Sequence, residues 1–308
     1  MSKWSRWRWL LQFTGLVLLV WVLSKIDSSA VAQQVAHADW PLVLFSAGLG
    51  LPFIWLKSER WRVVLHWTGS NLSSGVAFRL FSIGLLAGLV TPGQLGEFAK
   101  ALDVPRQGGT LRSGITASVG DRALDFAILL GLSAYYGMLH RYDWSQLNSL
   151  SVFLVIIALV ALAAAWFWLI AVKVLVGFPS SLRSWRNFLG ELVTDLHWSP
   201  VILLAAYTLL AYALYSIRLY LLLLALGHSA PVVAFVSSMA VMSLIALLPI
   251  SVAGVGTRDA ALLVLFGEFN ISREAAISFS FLVLVLYLFN AVVGAIAWGF
   301  HFAGRGKS

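Results

Sequence analysis

Long apolar runs separated by short polar stretches dominate the chain, and two of those runs are interrupted midway by proline and glycine. The unbroken runs lie near residues 9–26, 39–57, 115–139, 150–173, 200–227 and 275–302. Each is long enough to cross a hydrocarbon core of roughly 30 Å as a helix. The interruptions read Thr91-Pro92-Gly93-Gln94-Leu95-Gly96-Glu97 and Pro249-Ile250-Ser251-Val252-Ala253-Gly254-Val255-Gly256-Thr257-Arg258-Asp259. Pro removes a backbone donor and Gly removes the steric guard on φ, so neither suits the middle of a lipid-facing helix. Backbone freed at membrane depth is tolerated only where protein or a wet cavity surrounds it. The pattern predicts an all-α polytopic membrane protein with about six full transmembrane helices and two Pro/Gly-broken hairpins.

Composition agrees. The 308 residues are 60% hydrophobic and 11% charged, with a mean hydropathy of +0.88, whereas a soluble domain carries about 25% charge. No polar stretch is long enough for a separate soluble domain, so residues 1–308 read as a single integral membrane domain. The net charge of +8 would point to nucleic acid in a soluble protein. Here the excess of basic residues in cytoplasmic loops explains it, and no nucleic-acid partner is expected. With no cysteine, disulfides, thiolate metal sites and cysteine nucleophiles are excluded. The six histidines are scattered without ligand spacing, so neither a metal nor any other cofactor is expected. The basic stretch Met1–Arg8 precedes an apolar run without a clear small-residue cleavage site, which reads as an uncleaved first span.

Basic residues set the orientation. Lys57, Arg60, Arg62 and Arg79 in the stretch 57–79, and Lys173, Arg183 and Arg186 in 173–199, place both in the cytoplasm with the two termini. The stretches 27–39 and 140–149 hold one basic residue, Arg141, against Asp27, Asp39 and Asp143, and face outward. Were 76–90 a full crossing, Lys100, Arg106 and Arg112 would lie outside. A re-entrant hairpin keeps them inside, and the same reasoning sends 232–268 in from the opposite face. The alternative turns one or both hairpins into full spans, giving seven or eight. In either case the chain is expected in a bacterial inner membrane.

The halves share a register: Ala77-Phe78 and Pro92 recur as Ala234-Phe235 and Pro249, each 157 residues on (Phe78 to Phe235, Pro92 to Pro249). Two copies at about 39–139 and 200–302, entered in opposite directions, form the pattern of an inverted repeat. Between them Leu182, Trp185, Leu189, Leu192 and Leu196 recur at helical steps among charges. They predict an amphipathic helix at about 180–198 on the cytoplasmic surface.

Charged groups within the apolar runs are the candidate chemistry, because a lone Arg or Asp at mid-span costs roughly 3 kcal/mol. Asp121 and Asp125 share a helix face beside Arg122, and Glu97 and Lys100 follow the first break. They form either a structural ion-pair cluster or a site for a polar lipid group. Arg258 and Asp259 follow the second break, and Arg218 sits mid-span among tyrosines, where it faces the interior or a cavity, or else is a buried partner for Asp259 or Glu268. Arg122, Arg218 and Arg258 are the phosphate candidates, since a guanidinium donates bidentately. Helices resuming after the breaks would offer N-terminal amides to an anion, with Gly93, Gly96, Gly254 and Gly256 allowing close approach. Pro92, Pro249 and Ser251 complete the breaks. Ser251 has no His/Asp partner at a recognisable spacing and no nucleotide-binding motif occurs, so the chain does not read as an enzyme.

The motifs Thr91–Lys100, Asp121–Asp125 and Leu248–Asp259, in that order, resemble the flippase-like family that includes the transmembrane region of lysylphosphatidylglycerol synthases. The resemblance runs over nearly the whole chain. Members usually carry Glu where this chain has Asp121 and Asp259, a shorter reach for any distance-critical contact. The resemblance implies translocation of a phospholipid or a polyprenyl-phosphate-linked precursor, without the aminoacyl-transferase step of the bifunctional synthases. From another class, a scaffold would bind a glycosyltransferase or lipid-modifying enzyme through its cytoplasmic loops and the helix at 180–198. A small-solute channel is disfavoured, because the charges beside the breaks do not form a ring.

Overall fold

Helix and turn account for all of the regular structure in the computed structural model, apart from one isolated β-bridge, over residues 27–139, 198–249 and 251–303, the residues it describes. The expected spans 9–26 and 150–173, and the surface helix at 180–198 except for Trp198, lie outside the described residues. The elements are α1 (Ser28–Ala36), α2 (Trp40–Gly48), α3 (Gly50–Trp67), α4 (Ser74–Leu89), α5 (Ala99–Leu102), α6 (Leu111–Leu139), α7 (Trp198–Ala225), α8 (Val232–Ala246), α9 (Thr257–Gly267) and α10 (Arg273–Ala303). Short 3-10 turns at Leu95–Phe98 and Pro105–Gln107 flank α5.

Three helical stretches among the described residues are long and apolar enough to cross a membrane: Trp40–Trp67, Val201–Ala225 and Arg273–Phe300. The expected span 115–139 falls inside α6, 29 residues long, whose interior carries Asp121, Arg122 and Asp125. The helices before the two breaks are shorter, 16 residues in α4 and 15 in α8. At 1.5 Å per residue they reach about 22–24 Å, less than the roughly 30 Å of a hydrocarbon core. Each stops where its sequence turns to Pro and Gly.

The distribution of side chains is inverted relative to a soluble protein. Leu44, Phe45, Ile202, Leu209, Val292 and Phe300 are exposed, while Lys57, Arg60, Lys100, Asp121, Arg122 and Asp125 are buried. Water would penalise both choices, whereas lipid outside and paired charges inside reward them. The chain is an integral membrane protein.

The expected span 39–57 contains a local discontinuity. Pro52 has no N–H to offer the carbonyl of Gly48, so helical bonding lapses at Leu49 and α2 passes into α3. Beyond this point the reading of residues 57–79 as a loop does not hold. Helix α3 continues to Trp67, and only Thr68–Ser73 separate it from α4. Ile54, Lys57, Ser58, Trp61 and Leu65 recur at helical steps and are all buried, so the charges ride on an inward-facing stripe.

The halves interlock. Helix α4, before the first break, makes its largest interface with α10 of the second half, and α8, before the second break, with α6 of the first. Gly294 makes the first of these contacts possible, since a Cβ there would press on Leu86 Cβ at 2.8 Å and collide with the Ser82 carbonyl. The second closes through Leu129, Ala240 and Leu244. In the second half the rings of Phe235, Phe266 and Phe279 pack with centroids 5.0–6.4 Å apart. These contacts hold the two breaks against each other at the centre of the described residues.

Candidate functional site

Each break replaces lost helical bonds with local ones. After α4 ends, the Thr91 hydroxyl donates to the Ala87 carbonyl (3.0 Å) and accepts the Gly96 N–H (2.7 Å). Gly93 and Gln94 then take positive φ, 59° and 56°, and the 3-10 turn folds back onto the last turn of α4. The approach is close enough that a Cβ on Gly96 would collide with the Ala87 carbonyl. In the second break Ala253 and Gly254 take positive φ, 53° and 75°. Ser251 and Thr257 share a hydroxyl hydrogen bond of 2.8 Å, and the Asp259 carboxylate accepts the Gly256 N–H at 2.8 Å, capping α9.

The two breaks touch. Pro92 and Val252 form an antiparallel bridge, the Gly93 N–H donates to the Ser251 carbonyl at 3.4 Å, and a Cβ on Gly93 would lie 3.1 Å from Pro249 Cα. The structural register refines the one read from sequence. Helices α4 and α8 end 157 residues apart (Leu89, Ala246), but the bridged residues are 160 apart (Pro92, Val252). The bridged position therefore lies three residues farther past the helix end in the second break than in the first, and Pro92 contacts Val252 rather than Pro249 through this bridge.

Beside the first break lies a buried ionic network. Arg60, fully buried, holds Asp121 at 2.6 Å and Asp125 at 2.7 Å; Lys57 reaches Asp125 at 2.7 Å and Lys100 reaches Asp121 at 3.0 Å. Arg122 pairs with Glu97 at 2.6 Å and approaches Asp125 at 3.9 Å. Four cations (Lys57, Arg60, Lys100, Arg122) thus meet three carboxylates (Glu97, Asp121, Asp125). Lys100 also lies 4.0 Å from the Phe81 ring centroid, a cation–π contact. Within the network Glu97 does not pair with Lys100; apart from the 3.9 Å approach of Arg122 to Asp125 within α6, the ion pairs join α6 to α3, to α5 or to the 3-10 turn.

The second break carries less charge. Arg258 Nε donates to the Ser280 hydroxyl at 2.7 Å and lies 4.0 Å from Asp259, while Ser280 in turn donates to Asp259. The Arg258 guanidinium stands over the Tyr287 ring, 5.6 Å from its centroid. Of the two readings of Arg218, the pairing with Asp259 or Glu268 is not formed; Glu268 instead accepts from Tyr136. Arg218 Nε donates to the Ser46 carbonyl at 2.9 Å and Nη2 to Asn290 Oδ1 at 3.4 Å, with the Phe53 ring 5.4 Å away. Gly50 makes this room, because a Cβ there would meet Asn290 Oδ1 at 2.7 Å and Arg218 Nη2 at 3.0 Å. No carboxylate among the described residues pairs with Arg218.

A cavity of about 130 Å³ joins these parts. Gln94 and Ala253 bring the two breaks to its wall, Lys57, Glu97, Arg122, Asp125 and Arg218 line it with charge, and Tyr212, Tyr215, Tyr287, Ser243 and Asn290 with neutral polar groups. Of the site residues expected from sequence, Glu97, Arg122, Asp125 and Arg218 reach this wall. Lys100 and Asp121 stand behind it in the ionic network, and Arg258 and Asp259 stand behind Tyr287. Lys57 and Arg60 were missed, since basic residues after an apolar run read as a cytoplasmic flank. The signal that finds them is the three- and four-residue stripe running on through Trp61 and Leu65. No group of three or more carboxylates and histidines among the described residues is arranged to ligate a metal.

A family model described as "Lysylphosphatidylglycerol synthase TM region" matches residues 6–294. No curated protein and no solved structure matches the chain.

Proposed function

The chain belongs to the lysylphosphatidylglycerol synthase transmembrane-region family, whose name ties it to lipid handling, and from that membership we propose that it is a flippase-like protein. Its cargo is a lipid with an anionic phosphate, or a polyprenyl-phosphate-linked precursor, moved across the inner membrane without catalysis. The observation that carries this reading is Arg218, a buried cation on the cavity wall with no carboxylate partner among the described residues. Together with the excess cation of the network it leaves the cavity positively biased, and a phosphate is the membrane group that would neutralise it. On this reading the two breaks are the tips of re-entrant hairpins entering from opposite faces, with both termini cytoplasmic. The shared backbone states of the breaks and the interlocked helices support an inverted repeat.

Reconstitution into liposomes with fluorescent phospholipids tests the assignment. Charge-assisted hydrogen bonds are worth about 1.5–3 kcal/mol each, so Arg122→Ala and Arg218→Gln are expected to slow translocation by about tenfold or more. Should both variants fold and move lipid at the wild-type rate, the cavity is not the path.

A further inference from the structure

The two breaks are each tied firmly to themselves and only lightly to each other. Within the first, the Thr91 hydroxyl holds both the Ala87 carbonyl and the Gly96 N–H; within the second, Asp259 caps α9 and Ser251 is bonded to Thr257. Between them, a single backbone hydrogen bond joins the described residues, from Gly93 to Ser251 at 3.4 Å, longer than the usual N–H···O range. Pro92 has no N–H to add to it. Gly93 has no side chain to interlock with Pro249 Cα and the Leu247 carbonyl, each 3.1 Å from where a Cβ would stand. The contact is also thin. Successive residues of extended backbone face opposite sides: Ala253 lines the cavity with Gln94 of the first break, whereas Val252 is 37% exposed and Val90, ahead of the first tip, 67%. The bridge is therefore a septum with the cavity on one side and the surroundings of the protein on the other.

The helices that carry the tips are anchored elsewhere, α4 on α10 and α8 on α6, so the tips can part without unpacking the core. Next to the bridge on each side lie the positive-φ pairs Gly93–Gln94 and Ala253–Gly254, loop positions of the kind that absorb a hinge motion. We propose that the bridge between the two breaks is a gate of the cavity: Pro92 and Val252 part to admit or release the phosphate group of the cargo and meet again behind it. While they meet, backbone in van der Waals contact leaves that group no passage. What passes the gate is taken from the flippase reading; the parting of the tips does not depend on it.

A disulfide across the bridge tests the gate. The hydrogen bond runs between the neighbours Gly93 and Ser251, which makes Pro92 and Val252 a non-hydrogen-bonded pair with Cα atoms about 4.5 Å apart, within disulfide reach. The chain has no cysteine of its own, so Pro92→Cys with Val252→Cys forms this disulfide alone. In liposomes the oxidised double variant is expected to translocate fluorescent phosphatidylglycerol about tenfold more slowly than the same protein after reduction, because the open state has been removed. A folded, fully cross-linked protein that translocates as fast as its reduced form overturns the gate. If Pro92→Cys does not fold, or if the wild type translocates no lipid, the full-length chain with Val90→Cys and Val252→Cys, both spin-labelled in nanodiscs of phosphatidylglycerol, decides instead. Two resolved separations between the labels leave the gate standing, even where absent translocation defeats the flippase reading. One separation, at the distance of the closed bridge, makes the contact a fixed joint and overturns the gate.

Discussion

The two helix breaks share a backbone design and differ in chemistry. Both follow a short apolar helix, place a hydroxyl residue just before the bridged position (Thr91, Ser251), and take two consecutive residues through positive φ. In both, the helix that resumes sends a cation to the next long helix: Lys100 to Asp121 on α6, and Arg258 to Ser280 on α10. Yet the first break lies against seven buried charges, while the second is stitched mainly by Ser251, Thr257 and Ser280 around one Arg/Asp pair. The device itself thus needs only hydroxyls and glycines. The charge beside the first break exceeds what holding the backbone requires, which is why the cargo site is assigned to that side.

The comparison is broken most directly at Arg60. Removing one partner from a buried network leaves uncompensated charge, here on Asp121 and Asp125, at a cost of about 3–5 kcal/mol. We expect Arg60→Met to lower the thermal midpoint in detergent more than any variant of the second break. Adding Asp121→Asn should recover part of the loss, because contacting charges are not additive. A midpoint for Arg60→Met no lower than that of Ser280→Ala would mean that the network is not what holds α3 to α6.

A smaller effect sharpens the structural equivalence. Gly96 and Gly256 are 160 residues apart, in the register of the bridge, and each is required for a different reason. Gly96 lets the turn approach the Ala87 carbonyl, whereas Gly256 sits at φ 84°. Gly96→Ala and Gly256→Ala are each expected to cost about 1–3 kcal/mol, the first by overpacking and the second by backbone strain. Unfolding midpoints check both, and a neutral result at either position would remove it from the pair.

Much of this was legible because the sequence contradicts itself locally. Pro92 and Gly93 inside an apolar run conflict with an uninterrupted helix, and Asp121-Arg122 inside another conflicts with lipid, so both announced themselves. Lys57 and Arg60 did not, because a basic residue after an apolar run is also what a cytoplasmic flank looks like. Only packing tells a flank from an inward stripe. The three-residue offset of the bridged position in the second break was hidden for a related reason: Pro249 offered a sequence match to Pro92, while the backbone pairs Pro92 with Val252. The partners of Arg218 were hidden too, since a backbone carbonyl freed by the lapse at Leu49 carries no signature in side-chain identity.

Ser280 gives the next effect in size. Its hydroxyl stands between Arg258 Nε and Asp259, and Ser280→Ala leaves both with one partner fewer. A loss of about 1–2 kcal/mol is expected, the range for stranding a buried polar group. Lipid translocation should change little, since neither Arg258 nor Ser280 reaches the cavity wall. Transport lost without loss of stability would place the second break in the path alongside the first.

The smallest effect on stability is expected where the effect on function is largest. Arg218 is 2% exposed, yet its bonds go to a backbone carbonyl, an amide oxygen and an aromatic face. Burying a cation without a carboxylate costs desolvation that these neutral partners only partly repay. Arg218→Gln removes that cost together with the bonds, so the midpoint should move by less than about 1 kcal/mol in either direction. The same change removes the unpaired cation that makes the cavity suited to phosphate. An unfolding curve that stays in place while translocation falls identifies Arg218 as a charge retained for the cargo. A fall in stability as deep as that of Arg60→Met would instead make Arg218 a structural anchor for the lapse between α2 and α3, and the cationic excess of the cavity would then rest on Lys57 and Arg122 alone.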